Sequence, residues 1–357
     1  MTRELIVLHA GLHKTGSSSI QATLQGYDDG TTRYADLGSP NHSKFFDSAF
    51  ADEPKVRWSD GEKAMRTERW HKRLLRETTT DRPRLIFSGE AISTLGASGV
   101  TRMVEFFAPH ARQLRVVAYA RDPRSYIASS FQQRIKFGVS EFRIPQQRPF
   151  FRERLSPFFE ILGKDAVEIV PFLSFAKTGT DVVEDFCTRA GVTPAQIVRS
   201  NESMSADAVR LIYLWNRGSG GTVQGPARKR LIALLRANFP GRFSLDSTLT
   251  SDSVNWDDVD WLETTLGQPV ADRTPPDDTG AQDAIASEDD LLTVPPATLE
   301  RLRALAAEMD PDRSPPREVD ALLDVLKVAC LRQAAAEGDE DGEDDRSARR
   351  QKQKKTA

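Results

Sequence analysis

The chain has 357 residues, enough for one large α/β domain with appendages or for two domains. Its 49 Lys and Arg against 52 Asp and Glu give a net charge of −3, which excludes a global basic field of the nucleic-acid-binding kind and makes any anion site local. Cys187 and Cys330 stand at neither metal-like nor redox spacing, so no disulfide framework or cysteine-built zinc site is expected. The start of the chain has no basic segment followed by a long apolar run, and no stretch approaches ~18 uncharged apolar residues. A cytoplasmic protein without a transmembrane segment is therefore the expectation.

Taken in order, short apolar runs recur at 5–10, 85–88, 114–120 and 167–172, separated by longer amphipathic or polar stretches. The pattern predicts parallel strands with helical crossovers, because strands covered on both faces read as continuous apolar runs. Between the first two strands, an insertion at about 25–82 contains a basic segment at 62–76 with Lys63, Arg66, Arg69, Lys72, Arg73 and Arg76. That segment is either a helix facing an anionic acceptor or a solvated helix face. Helices are expected at 206–215 and 227–237, flanking a Gly-Ser-Gly-Gly loop at 218–221, and again at 297–309 and 317–336. Composition shifts to Asp, Pro, Thr and Ala at about 270–296, which reads as an irregular linker or lid. The end, 337–357, has seven acidic residues within 337–345 and then six basic ones within 346–355, and reads as a disordered charged tail. The expected organisation is a core at 1–217 followed by a mostly helical extension at 218–336.

The first strand leads into His9-Ala10-Gly11-Leu12-His13-Lys14-Thr15-Gly16-Ser17-Ser18-Ser19, after which Ile20 and Leu24 recur at helical spacing. Gly11 and Gly16 bracket four residues as in a phosphate loop, so backbone N–H groups can face an anion at the N-terminus of the next helix. The nucleotide-hydrolase pattern demands Lys where this chain has Ser17, and Lys14 stands three positions earlier. A displaced Lys followed by Thr-Gly-Ser-Ser resembles the 5′-phosphosulfate loop of the PAPS-dependent sulfotransferases, closest to bacterial members with a His-Lys-Thr-Gly loop. The resemblance implies that Gly11, His13, Lys14, Thr15, Gly16, Ser17 and Ser18 bind the donor, with Lys14 beside the bridging oxygen.

The third apolar run ends in Arg121-Asp122-Pro123-Arg124-Ser125, with Asp122 at a helix N-cap, Pro123 at the first helical position, and Ser125 and Ser129 on one helical face. Arg offers a forked set of donors for phosphate, and a serine hydroxyl can complete the shell. Sulfotransferases similarly carry an Arg, a Pro two residues on and a Ser eight residues after the Arg. The resemblance therefore implies that Arg121 and Ser129 hold the 3′-phosphate of 3′-phosphoadenosine 5′-phosphosulfate, PAPS.

The second apolar run ends in Ser88-Gly89-Glu90, which puts a carboxylate at the sheet edge from which Lys14 and Arg121 emerge. Glu90 is the candidate base, as in sulfotransferases acting on sugars, with His13 and His42 as rivals and His9 a shaper of the loop. Further on, Phe186 to Gly191 resembles the end of the family's last core helix, and Asn201-Glu202-Ser203 a following Asn-x-Ser element or a helix cap. The likeness covers about 3–215.

The resemblance implies a P-loop NTPase-like three-layer α/β sandwich around a parallel sheet, with a helical C-terminal region. It implies sulfuryl transfer from PAPS to an acceptor hydroxyl or amine, on a small molecule or glycan, without metal. Lys14 and Glu90 would be catalytic. A P-loop kinase or a non-catalytic nucleotide-binding module are the alternatives, and the acceptor and oligomeric state stay open.

Overall fold

The computed structural model describes residues 2–54, 60–144, 148–173, 175, 179–199, 203–218, 225–274 and 284–335, side chains at 60–63 and 66 excepted. Asn201, Glu202, the loop at 219–221, residues 275–283 of the Asp- and Pro-rich stretch, and the tail at 337–357 lie outside the described residues.

The elements run β1 (Arg3–His9), α1 (Ser17–Leu24), β2 (Thr32–Tyr34), α2 (Ser43–Phe50), α3 (Asp60–Thr78), β3 (Arg84–Ser88), a 3-10 turn (Glu90–Thr94), α4 (Ala97–Phe107), β4 (Ala111–Ala120), α5 (Pro123–Lys136), α6 (Phe151–Leu162) and β5 (Val167–Pro171). Then come α7 (Val182–Ala190), α8 (Ala206–Arg217), α9 (Pro226–Asn238), α10 (Ser247–Asp252), α11 (Trp256–Leu266), α12 (Glu288–Leu292), α13 (Pro296–Met309) and α14 at 319–335. All four strands read from the sequence are present. β2, three residues at the edge of the sheet, was not among them.

The chain forms two compact units that interleave along it: 1–127 with 147–201 and 253–275, and 128–146 with 202–252 and 276–357. The first unit is an α/β fold whose five strands are all parallel, in the order β2-β3-β1-β4-β5. The chain therefore crosses over β1 between β3 and β4, and β1 becomes the switch point at which open α/β sheets bind ligands. Leu5 and Val7 of β1, Ile86 of β3 and Val117 and Tyr119 of β4 pack with Ile20 and Leu24 of α1 and Phe186 of α7 on one face. The alternate residues Ile6, Leu8 and Phe87 are also fully buried, which is why these strands read as unbroken apolar runs. Helix α6 begins after Phe150 in a left-handed conformation, and its first N–H groups are satisfied by Asp258 of α11, at 2.7 Å to Phe151 and to Arg152.

The second unit is helical. Buried Arg228 of α9 donates to the Asn216 side chain at 2.7 Å and to the Ile135 carbonyl at 3.0 Å, and Asn216 Nδ2 donates to the same carbonyl at 2.8 Å. This network closes the end of α5 with protein donors. Ser287 and Asp290 form a reciprocal capping box at the start of α12. Among the described residues no helix is long and apolar enough to cross a membrane.

Candidate active site

Pairing along the sheet continues past the last residue of β1 and shapes the loop. Ala10 N donates to Val117 O at 2.9 Å, Tyr119 N to Gly11 O at 2.7 Å, and Leu12 N to Tyr119 O at 3.3 Å. On the opposite side Gly89 N donates to His9 O at 3.0 Å. The loop after β1 is thus stitched to the ends of both neighbouring strands, and Arg121 and Glu90 arrive on either side of it.

Gly11, Lys14 and Gly16 all have left-handed backbones, with φ of 88°, 65° and 81°. Glycine is required at Gly16 for a second reason: a Cβ there would stand 2.6 Å from Val182 Cγ1 at the start of α7. Gly16 leads into α1, whose first turn has backbone N–H groups without intrahelical acceptors. The loop is drawn together from within: buried Thr15 donates its hydroxyl to Leu12 O at 2.5 Å, and buried Ser17 donates to the same carbonyl at 3.5 Å. Of the residues expected to bind the donor, Thr15 and Ser17 therefore turn their hydroxyls inward. Ser18 is exposed, and His13 and Lys14 are half-buried.

Arg121, just past β4, is half-buried and ties the loop to α5. Its Nη1 donates to Lys14 O at 2.9 Å and its Nε to Ser125 Oγ at 2.9 Å. Asp122 caps α5 by accepting from Ser125 N at 3.0 Å, as the sequence predicts. Burial pushes the guanidinium below its ordinary value, and only adjacent Asp122 offsets this. Among the described residues no carboxylate lies within ion-pair distance of Arg121. Ser129 lies farther along α5, half-buried, in the stretch assigned to the second unit.

On the other side of the loop, Glu90 Oε2 lies 3.2 Å from His13 Nδ1, with the two side chains 27% and 31% exposed. Burial opposes ionisation of Glu90, but the hydrogen bond and charge of His13, together with Lys14, outweigh it and hold the carboxyl below its ordinary value. His13 and Glu90, read from sequence as rivals for one role, are partners in space.

The other two histidines sit inside the fold. His9 Nδ1 meets Ser88 Oγ at 2.7 Å, its Nε2 finds no hydrogen-bond partner among the described residues, and the ring is 5.0 Å from Phe186. His42 Nδ1 accepts from Ser88 N at 3.1 Å, and its ring stacks on Tyr34 at 4.9 Å. Both are 0% exposed, and burial pushes both down to about 4. Ser88, which also accepts from Gln21 Nε2 at 3.2 Å, is a structural hub that the sequence reading missed. A serine closing an otherwise apolar strand is the signal that could have found it.

No protein-family model and no curated protein matches the chain. Two solved structures are similar in part. A sulfotransferase from Alicyclobacillus acidocaldarius is 17% identical, with 66% of this chain and 96% of that one covered and a TM-score of 0.38. The sulfotransferase domain from the curacin biosynthetic pathway is 11% identical, with 76% and 99% covered and a TM-score of 0.33. At such values neither likeness assigns a function.

Proposed function

We propose that the chain transfers a sulfuryl group from PAPS to an acceptor hydroxyl or amine. The observation that carries this reading is Arg121, a half-buried cation with no carboxylate within ion-pair distance among the described residues, bonded through its Nη1 to the carbonyl of Lys14 in the phosphate loop. A cation desolvated without a counter-ion is costly, and an anion from the ligand offsets that cost. With one anion at the loop and another at Arg121, the ligand has two separate anionic ends, which fits a nucleotide phosphorylated at both 5′ and 3′ positions. A kinase reading explains the loop but gives Arg121 nothing to bind, since ATP has no 3′-phosphate.

PAPS supplies a sulfur atom bonded to an oxygen that leaves on adenosine 3′,5′-bisphosphate. The acceptor oxygen or nitrogen forms the new bond to sulfur as the bridging S–O bond breaks, and negative charge passes to the bridging oxygen. Lys14, at the mouth of the loop, stabilises that charge, and the N–H groups of the first turn of α1 hold the 5′ end. Glu90, kept ionised by His13 and Lys14, accepts the acceptor's proton. The carboxylate-type base favours a carbohydrate acceptor.

Titration of the full chain with adenosine 3′,5′-bisphosphate and with ATP tests the reading, followed by an assay with labelled PAPS and mixed acceptors. Preference for the bisphosphate with label transfer is the expected result. Preference for ATP, or indifference to the 3′-phosphate, overturns it.

A further inference from the structure

The reaction above leaves unused a cluster of cations beside the Glu90 segment. Lys44 of α2 and Arg69 and Arg73 of α3 gather around one indole: Lys44 Nζ and the two guanidinium carbons lie 5.8, 5.4 and 5.8 Å from the centre of Trp70. Lys44 and Arg73 also lie over Phe45, at 5.2 and 5.7 Å. Phe45 is fully buried and meets Trp70 edge-on at 4.5 Å, so the aromatic platform is fixed. Aromatic faces hold cationic heads in place without neutralising them. Among the described residues no carboxylate lies within ion-pair distance of any of the three, whereas Lys72 on the same helix is paired with Glu68 at 2.7 Å. A solvated helix face has no need to hold three like charges against one ring.

The location gives the cluster its meaning. Ser43, immediately before Lys44, accepts from Ala91 N at 3.2 Å, and its own N lies 2.8 Å from where a Cβ on Gly89 would stand. The first turn of α2 is therefore laid directly on the residues flanking Glu90. Because β3 and β4 lie on opposite sides of β1, the cluster is on the Glu90 side of the loop and Arg121 on the other. The cluster thus faces the acceptor's side and not the donor's 3′ end. An acceptor that offers a hydroxyl to Glu90 and several fixed oxyanions to these cations has the chemistry of an acidic oligosaccharide.

We infer that Lys44, Arg69 and Arg73 form a subsite for an oligosaccharide acceptor bearing carboxylate or sulfate-ester groups, an inference that rests on the sulfuryl-transfer reading for its reaction but not for its binding. The test compares a short hexuronate-containing oligosaccharide with its carboxyl-reduced, neutral counterpart. Each is titrated into the full chain. The acidic form is expected to bind ~10-fold or more tighter, and the preference to disappear in the triple variant Lys44→Ala, Arg69→Ala, Arg73→Ala. Arg69→Lys with Arg73→Lys is expected to restore most of it, and Lys72→Ala to leave it intact. An unchanged thermal unfolding midpoint in the triple variant establishes that it folds.

Equal affinity for the two oligosaccharides, or a preference that survives in the triple variant, overturns the subsite. Labelled PAPS separates the two claims. Charge-dependent binding without label transfer upholds the subsite and removes the sulfuryl-transfer reading. Transfer to both oligosaccharides with equal KM removes the subsite and leaves the reaction standing.

Discussion

Arg121→Met tests the proposed donor site most directly, because methionine keeps much of the stem's volume and loses every donor. A guanidinium has five N–H donors. Two are engaged, one with Lys14 O and one with Ser125 Oγ, each at 2.9 Å. The remainder suffice for a forked contact with phosphate. Each charge-assisted hydrogen bond contributes about 1.5–3 kcal/mol, so removing a forked pair, with solvent partly compensating, costs about 3 kcal/mol, or roughly two decades in affinity. The assay is isothermal titration with adenosine 3′,5′-bisphosphate and with adenosine 5′-monophosphate, which differ only in the 3′-phosphate. The wild-type chain is expected to prefer the bisphosphate by ~100-fold and the variant to lose most of that preference. Loss of the Lys14 contact loosens the loop for both ligands alike, so the ratio cancels it. Apo stability is expected to change little, since the lost hydrogen bonds are offset by relief of a desolvated cation. A ratio preserved in Arg121→Met, or absent from the wild type, refutes the assignment.

Glu90→Gln is expected to lower turnover ~10²-fold or more with bisphosphate affinity kept, and the acid limb of wild-type kcat to fall below the ordinary carboxylate range. Because the folded carboxyl of Glu90 is held low, its contribution to stability is present above ~4.3 and lost as pH falls through the folded value, so wild type and Glu90→Gln should converge in urea denaturation at low pH. Gly16→Ala adds left-handed strain at φ 81° to a 2.6 Å clash with Val182, and should destabilise the chain by about 2–4 kcal/mol, of which Val182→Ala relieves only the clash. His9 and His42, held at about 4, stay neutral in the fold while the unfolded chain protonates near ~6.5. Stability should therefore fall as pH drops from about 6.5 to about 4, by up to roughly 3 kcal/mol for each ring, and His42→Gln should flatten its share; a flat profile in the wild type counts against the buried neutral rings.

The fold was legible where burial on both faces leaves an apolar run, as in β1, β3, β4 and β5. It was not legible at β2, where Thr32, Arg33 and Tyr34 present too short a run to carry a period. Local chemistry could also be read: Asp122 before Pro123 caps α5 within three residues, and Gly11 and Gly16 mark the left-handed positions. What escaped are partners far apart in sequence. Asp258 reaches α6 from more than a hundred residues away, and Ser88 gathers His9, Gln21 and His42 from three other segments. The His13–Glu90 pair escaped for the same reason. Nothing in a linear reading shows that the bond from Gly89 N to His9 O draws one residue beside the other.

That bond and its counterparts on β4 also bear on the direction of the proposed reaction. In-line displacement needs the attacking and leaving atoms on opposite sides of the transferred group. The strand order sets Glu90 after β3 and Arg121 after β4, with β1 and its loop between them. Adjacent strands are spaced ~4.8 Å apart, so the two flanking strands are separated by roughly 10 Å, room for a tetrahedral group held at the central loop. An ionised carboxylate on one side suits the acceptor that must lose a proton, and a cation on the other suits the donor that retains the negative charge. Exchanging the two charges, as in Glu90→Arg with Arg121→Glu, would keep the net charge and the fold's polar count yet place repulsion at both ends. If that double variant still bound the bisphosphate, the polarity of the site would have no part in recognising the donor.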